Sequence, residues 1–408
     1  MIKMKILENK TITDVQNFLA SGISGGLKKS GKKDLCVIYS KVEAVGAAVF
    51  TTNKVKAAPV LLNMENIKND NIQVIVVNSG NANSCTGKQG MENAMKMAET
   101  AAECLGLSPK EVLVQSTGLI GLQLPMDKII PAIKKGCSMI SPTGGSDAAV
   151  AIKTTDTFSK SIAVEFEIDG KKVMMSGIAK GSGMVHPNMA TMLSFIVTDA
   201  NITKEMLNKA FKNSVDDSYN MISVDGDTST NDMSAVLANK CAGNTLIDSE
   251  DEKYFEFKKA LDFVNKELAK MIAKDGEGAT KLLEVTVKNG KDIENSKLCA
   301  KSIIRSNLTK CAFFGADANW GRIMCSIGYS GADFDPEKVD IFIKGCKGEI
   351  QVAKDGMGLP FDEILAKEIL LEEYVNVIVD LKDGNKNATA WGCDLTYDYV
   401  KINGCYRT

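Results

Sequence analysis

The chain has 408 residues, 44% of them hydrophobic and 25% charged, with 49 basic against 51 acidic residues and a formal net charge of −2. This is an ordinary composition for a globular enzyme. It lacks the basic excess that a nucleic-acid binder uses to collect phosphates. Its length suggests more than one layer or domain. The N-terminal run has no uninterrupted apolar core, so no secretory leader is expected. No stretch approaches the roughly 18 apolar residues needed to span a bilayer. Eleven scattered cysteines without a C-x-x-C read as reduced, mostly buried thiols of a cytoplasmic protein. The single histidine, His186, excludes multi-histidine metal sites and leaves any histidine-based mechanism one candidate.

In chain order, the β-branched run 72–77 predicts a buried strand leading into an asparagine- and glycine-rich loop, 78–83. Residues 91–105 carry a helical pattern with Gly106 as its C-cap. Ser108-Pro109-Lys110-Glu111 has capping-box order. Residues 162–168 and 171–175 flank Asp169-Gly170, a hairpin signal. Residues 192–197 predict another strand, and 204–215 and 250–273 predict long helices. Strands and helices alternate without a Pro/Ser-rich linker, as in an α/β (α+β) protein whose halves pack intimately.

The densest block runs from Gly177 to Leu193 and includes Lys180-Gly181-Ser182-Gly183-Met184-Val185-His186-Pro187-Asn188-Met189-Ala190-Thr191. Its glycines and proline suit a strained connection between strands, delivering a threonine to the start of the next strand. A tight sheet connection explains the same glycines without any chemistry.

This block resembles the cleavage and nucleophile segment of the ornithine acetyltransferase (glutamate N-acetyltransferase, bifunctional arginine biosynthesis) family. The resemblance extends along the chain through Asn78–Asn83, Ser116–Gly121, Thr154–Thr157, Asp225–Asp232, Gly276–Lys281, Asn319–Ile323 and Tyr399–Thr408. It implies a layered sandwich of the self-cleaving ornithine acetyltransferase / DmpA-like type with its site between two fragments. Autocatalytic cleavage at Ala190–Thr191 would give an alpha fragment, 1–190, and a beta fragment, 191–408, assembling as a heterotetramer of two alpha and two beta fragments. Thr191 would take acetyl from N-acetylornithine and pass it to glutamate in a ping-pong reaction. Thr117 and Gly118 match the oxyanion-hole pair, and Thr154, Lys180, Thr191, Glu277, Asn403 and Thr408 the substrate-binding positions. Lys180 would attract a carboxylate, and Glu277, expected in an exposed loop, an ammonium. No cofactor, metal, nucleic acid or membrane enters, and acetyl-CoA stays open as a second acetyl donor.

The chemistry is consistent with those assignments. A threonine hydroxyl is a poor nucleophile without a base. A free α-amino group, with a pKa of roughly 7.7–8.0, supplies one on the same residue. His186 is expected in a structural place in the cleavage loop. An N-terminal-nucleophile amidohydrolase or aminopeptidase, and a non-catalytic ligand-binding protein, stand as the other readings.

Overall fold

The computed structural model describes residues 4–186 and 192–405. Among them two sheets lie face to face. One has four strands in the order Phe18–Ile23, Leu35–Ser40, Val74–Asn81, Val112–Leu119. The other has six, in the order Lys5–Ile6, Lys160–Ile168, Lys171–Lys180, Leu193–Thr198, Met233–Ala238, Val45–Phe50. Side-chain alternation explains the layering. Ile75 and Val77 point into the space between the sheets, as do Leu193, Phe195, Val197, Met233, Ala235 and Leu237. The alternate residues Val74 and Val76 face the helices Gly87–Leu105 and Met126–Ser138. Ile196 and Val236 face the opposite way, onto the helices Lys204–Asp216 and Glu252–Lys274. The product is a helix–sheet–sheet–helix sandwich, the α/β layering anticipated from the sequence. A third sheet, of seven strands with Leu282–Gly290 and Tyr374–Asp380 near its middle, extends the same core at one side.

The two halves of the chain share one sheet. Leu193–Thr198 pairs antiparallel with Lys171–Lys180, placing Lys180 opposite Leu193, and parallel with Met233–Ala238. The expected hairpin is present: Lys160–Ile168 and Lys171–Lys180 are joined through Asp169 (φ 49°) and Gly170 (φ 71°). The helix expected from residue 91 begins earlier, at Gly87. There the Thr86 hydroxyl donates to Asn83 Oδ1 at 2.8 Å, and the Asn83 amide donates to the Gly90 carbonyl at 2.9 Å. It ends at Gly106 in the left-handed conformation (φ 70°), as read from sequence. The capping box at Ser108 opens only a single 3₁₀ turn, Pro109–Glu111, because the apolar, β-branched run that follows enters a strand at once.

The cysteines correct one expectation. They are free thiols, but only Cys36, Cys137, Cys299 and Cys393 are buried, while six are exposed. Cys311 and Cys325, for example, sit on outward faces of the helices Asn307–Phe314 and Trp320–Gly328. A small, weakly polar side chain is tolerated there as readily as in a core. Among the described residues no helix is long and apolar enough to cross a membrane, and no group of three or more His, Cys, Asp or Glu side chains could hold a metal ion.

A buried ionic knot fixes the sheet end nearest the candidate site. The Lys160 ammonium, fully buried, pairs with Asp156 at 2.7 Å and with Asp275. Asp156 also accepts the backbone N–H groups of Gly181 (2.8 Å) and Thr154 (3.0 Å), and Asp275 accepts from Thr157. Burial alone would raise the Asp156 pKa. The Lys180 and Lys160 charges and these hydrogen bonds outweigh it and hold the carboxyl well below its ordinary value. Replacing Lys160 by methionine leaves two buried carboxylates without their cation. Urea unfolding of the Lys160→Met variant should therefore show a loss of about 3–5 kcal/mol, and a loss within error of zero would mean that the knot does not hold this end of the sheet.

Candidate active site

A cavity of ≈ 180 Å³ opens where the ends of these strands meet the last helix, Tyr397–Cys405. Six residues singled out from sequence line it: Thr117, Gly118, Thr154, Lys180, Glu277 and Asn403. They come from five separate parts of the chain and from both sides of the proposed junction. Met192 and Leu193 line it as well. Ala190, Thr191 and Thr408 lie outside the described residues.

Thr117 and Gly118 sit on the strand Val112–Leu119. This strand runs parallel to Val74–Asn81, with Thr117 opposite Ser79 and Gly118 opposite Gly80, and the register breaks at Gly80/Asn81. Gly118 has φ 134°, and a Cβ there would lie 2.4 Å from the Gly80 carbonyl carbon. Only glycine fits so close an approach in that conformation. Asn231 secures the arrangement, its side-chain amide donating to the carbonyls of Ala82 and Ser116 at 2.5 and 2.8 Å. The Ser116 hydroxyl donates to Asn78 Oδ1 at 2.6 Å. The asparagine-rich motif thus braces the strand end. The half-buried Thr117 hydroxyl makes no hydrogen bond with another described residue and is available to a ligand in the cavity.

Lys180 ends its strand nine-tenths buried, and its ammonium makes no hydrogen bond or ion pair with another described side chain. Burial lowers its pKa, while Asp156, Asp232 and Glu277 act to raise it. A desolvated cation beside a cavity favours an anion there.

Glu277 is buried, against the expectation of an exposed loop. Its neighbours explain why. The carboxylate lies on Gly183, where a Cβ would come within 2.3 Å of it. The Asn403 amide donates to its Oε2 at 2.8 Å. Gly278 (φ 70°) lets the loop meet the last helix, since a Cβ there would lie 2.7 Å from the Tyr399 nitrogen. The last helix is therefore held against this loop at Tyr399 and Asn403.

The Asp225–Asp232 run, read from sequence only as part of the resemblance, supplies groups that had no assigned role. Asp225 accepts the N–H groups of Met184 (2.6 Å) and Val185 (2.9 Å) and the Tyr399 hydroxyl (3.2 Å), so it pins the segment leading into the junction. Asp232 is almost fully buried at the cavity, and burial raises its pKa well above the ordinary carboxylate value. Its Oδ2 has no hydrogen-bond partner among the described residues. The signal for these roles was an acidic, glycine-broken run just before a strand, which also describes any polar turn.

His186 faces away from this cavity into a neighbouring one. Its Nδ1 lies 3.1 Å from the Ser223 hydroxyl, and the Thr228 hydroxyl donates to its carbonyl at 2.9 Å. Burial, with Lys301 and Arg305 nearby, lowers its pKa to about 4. That agrees with a structural place.

The ArgJ family model matches residues 19–408. The chain is 58% identical over 408 residues to the arginine biosynthesis bifunctional protein ArgJ 1 of Clostridium acetobutylicum, covering 100% of both chains. It is 56% identical over 405 residues to the arginine biosynthesis bifunctional protein ArgJ of Caldanaerobacter subterraneus subsp. tengcongensis, covering 99% of this chain and 100% of that one. Among solved structures, the arginine biosynthesis bifunctional protein ArgJ of Bacillus halodurans is similar with a TM-score of 0.51 and 46% identity. That match takes in 53% of this chain and 100% of the other.

Two measurements probe this geometry. Gly118→Ala should lower acyl-transfer kcat by about 10²–10³ while the protein remains folded by circular dichroism; undiminished kcat would remove this strand end from the chemistry. For His186, the folded-state pKa lies below the unfolded value near 6.5. The unfolded state thus binds more protons between pH about 6.5 and about 4, and stability falls as pH drops through that window. The stability difference between wild type and His186→Gln, followed by urea unfolding, should shrink over the same window. A difference constant with pH would show that this ring is not held neutral in the fold.

Proposed function

The chain belongs to the ArgJ family, and on that premise we propose that it transfers acetyl from N2-acetyl-L-ornithine to L-glutamate through an acetyl-enzyme on Thr191. Maturation comes first: the Thr191 hydroxyl attacks the Ala190 carbonyl, the Ala190–Thr191 C–N bond breaks with its proton going to the departing Thr191 amine, and water hydrolyses the resulting ester to release the Ala190 carboxylate and the Thr191 hydroxyl. That amine then takes the hydroxyl proton as Thr191 attacks the acetyl carbonyl of acetylornithine. The Thr117 hydroxyl and the Gly118 N–H stabilise the oxyanion, a contribution of roughly 2.7–4 kcal/mol per well-placed donor. The C–N bond breaks, the proton passes to the departing ornithine amine, and glutamate's amine attacks the acetyl ester in turn. Lys180 meets substrate carboxylate, and Glu277, held by Asn403, meets the ornithine side-chain ammonium. Thr154 and Thr408 complete the contacts.

The observation that carries this reading is the convergence of Thr117, Gly118, Thr154, Lys180, Glu277 and Asn403 on one cavity whose wall includes Met192, the residue after Thr191. A second observation favours division of the chain. A fragment 191–408 has 408 − 190 = 218 residues, and 218/408 is 0.53, the share of this chain that the whole Bacillus halodurans chain matches. On the same reading the mature enzyme works in the cytoplasm as two copies of each fragment, without a cofactor.

Intact-mass measurement of active protein should give two pieces divided between residues 190 and 191. Thr191→Ala should stay a single piece and lose transfer activity by several orders of magnitude. An active, undivided wild-type chain would overturn the mechanism. Acetate released from acetylornithine equally fast with and without glutamate would mark a hydrolase, and acetyl transfer from acetyl-CoA to glutamate would establish the second donor.

A further inference from the structure

The cavity that His186 faces, ≈ 880 Å³ in volume, is lined by none of the described residues assigned to acetyl transfer. One of its walls is a face of the helix Ile293–Arg305, which presents Glu294, Lys297, Leu298, Lys301 and Arg305 at helical spacing. Lys297 is satisfied, pairing with Asp217 at 2.7 Å and donating to the Asp216 carbonyl at 3.3 Å. Lys301 and Arg305, one helical turn apart, make no ion pair or hydrogen bond with another described residue. Lys301 is substantially buried, which lowers its pKa; Glu294 and Asp216 act to raise it without reaching contact distance, and Lys297 and Arg305 act to lower it.

Ser306 and Asn307 also line the cavity, and they begin the eight-residue helix Asn307–Phe314. Its positive dipole end adds to the same wall. The single histidine here is held neutral and contributes no charge at neutral pH. Two cations that contact no carboxylate stand beside a helix start, with Asp216 and Glu294 on the same lining beyond contact distance, and together they make a site for an oxyanion. Cations that merely complement a helix C-terminus would be fully solvated, whereas Lys301 is not.

We propose that this cavity is a second ligand site, which binds a small oxyanion carrying at least two negative charges, a phosphate or a dicarboxylate, between Lys301 and Arg305. It lies across the chain from the candidate active site: Met184 lines one cavity and His186, two residues on, lines the other. The ligand therefore has its own place and does not compete with acetyl donor or acceptor.

Calorimetric titration of the mature enzyme with inorganic phosphate, and separately with malonate, tests this at low ionic strength. Saturable binding of at least one is expected, weakened at least roughly tenfold in Lys301→Gln/Arg305→Gln, with acetyl-transfer kcat unchanged. Binding by phosphate alone identifies a phosphorylated ligand, and by malonate alone a dicarboxylate. Binding should persist in Lys180→Met, which removes the cation of the other cavity. Should the double variant not fold, the single Arg305→Gln, at an exposed side chain, gives the same readout. No saturable binding of either anion, equal binding in the variants, or loss in Lys180→Met would overturn the proposal.

Discussion

Everything in the candidate site depends on one strand pairing. Lys180 and Leu193 stand opposite each other in an antiparallel pair that continues to Met175 and Thr198, and Leu193–Thr198 is clasped on its other side by Met233–Ala238. Both contacts are ladders inside a sheet buried on its two faces. The residues on either side of the junction are therefore held by hydrogen bonds and apolar packing that do not require the peptide link between 190 and 191. A chain cut there would keep its two ends in register, because opening them would expose strands such as Leu193–Thr198, every residue of which is buried. The sheet makes scission compatible with a preserved site.

The electrostatics of the cavity follow from the same burial. Lys160 neutralises one carboxylate and shares another, which leaves Lys180 as the cation facing the cavity. Asp232 meets no cation at contact distance, and burial favours its neutral form. Glu277 is held by an amide and not by a cation. The cavity thus sets the desolvated Lys180 among the carboxyl groups of Asp225, Asp227, Asp232 and Glu277, the last steadied by a neutral donor. Those are complementary features for an amino acid carrying both signs of charge, and low local dielectric strengthens each.

Much of this was legible in the sequence, for identifiable reasons. The hairpin at Asp169-Gly170 and the αL stop at Gly106 are local, since turn chemistry determines them within a few residues. The strand expected at 72–77 is present but runs on through Asn81, where a loop was expected, because residues 78–81 pair with the strand Val112–Leu119. The role of Gly118 was half legible, since a glycine signals close approach but not that its neighbour would be Gly80 of a parallel strand. The burial of Glu277 was not legible at all. It depends on Gly183 and Asn403, respectively 94 and 126 residues away in sequence, and flanking glycines read locally as an exposed turn. Asp225 was hidden similarly, because its task is to receive N–H groups from Met184 and Val185, some 40 residues earlier.

The remaining question is where a proton can go during acyl transfer, and the described residues narrow the answer. His186 turns to the other cavity, and its pKa of about 4 makes it a weak base at neutral pH. Asp225 already accepts two backbone N–H groups and a tyrosine hydroxyl. Burial raises the pKa of Asp232, burial and the neighbouring Asp225 raise that of Asp227, and Glu277 is engaged by Asn403. Lys180 has its pKa lowered by burial, but three carboxyl groups act against that shift. A nucleophile that carries its own amine needs none of these groups as a base. It leaves Lys180 to face an anion and Glu277 to face a cation.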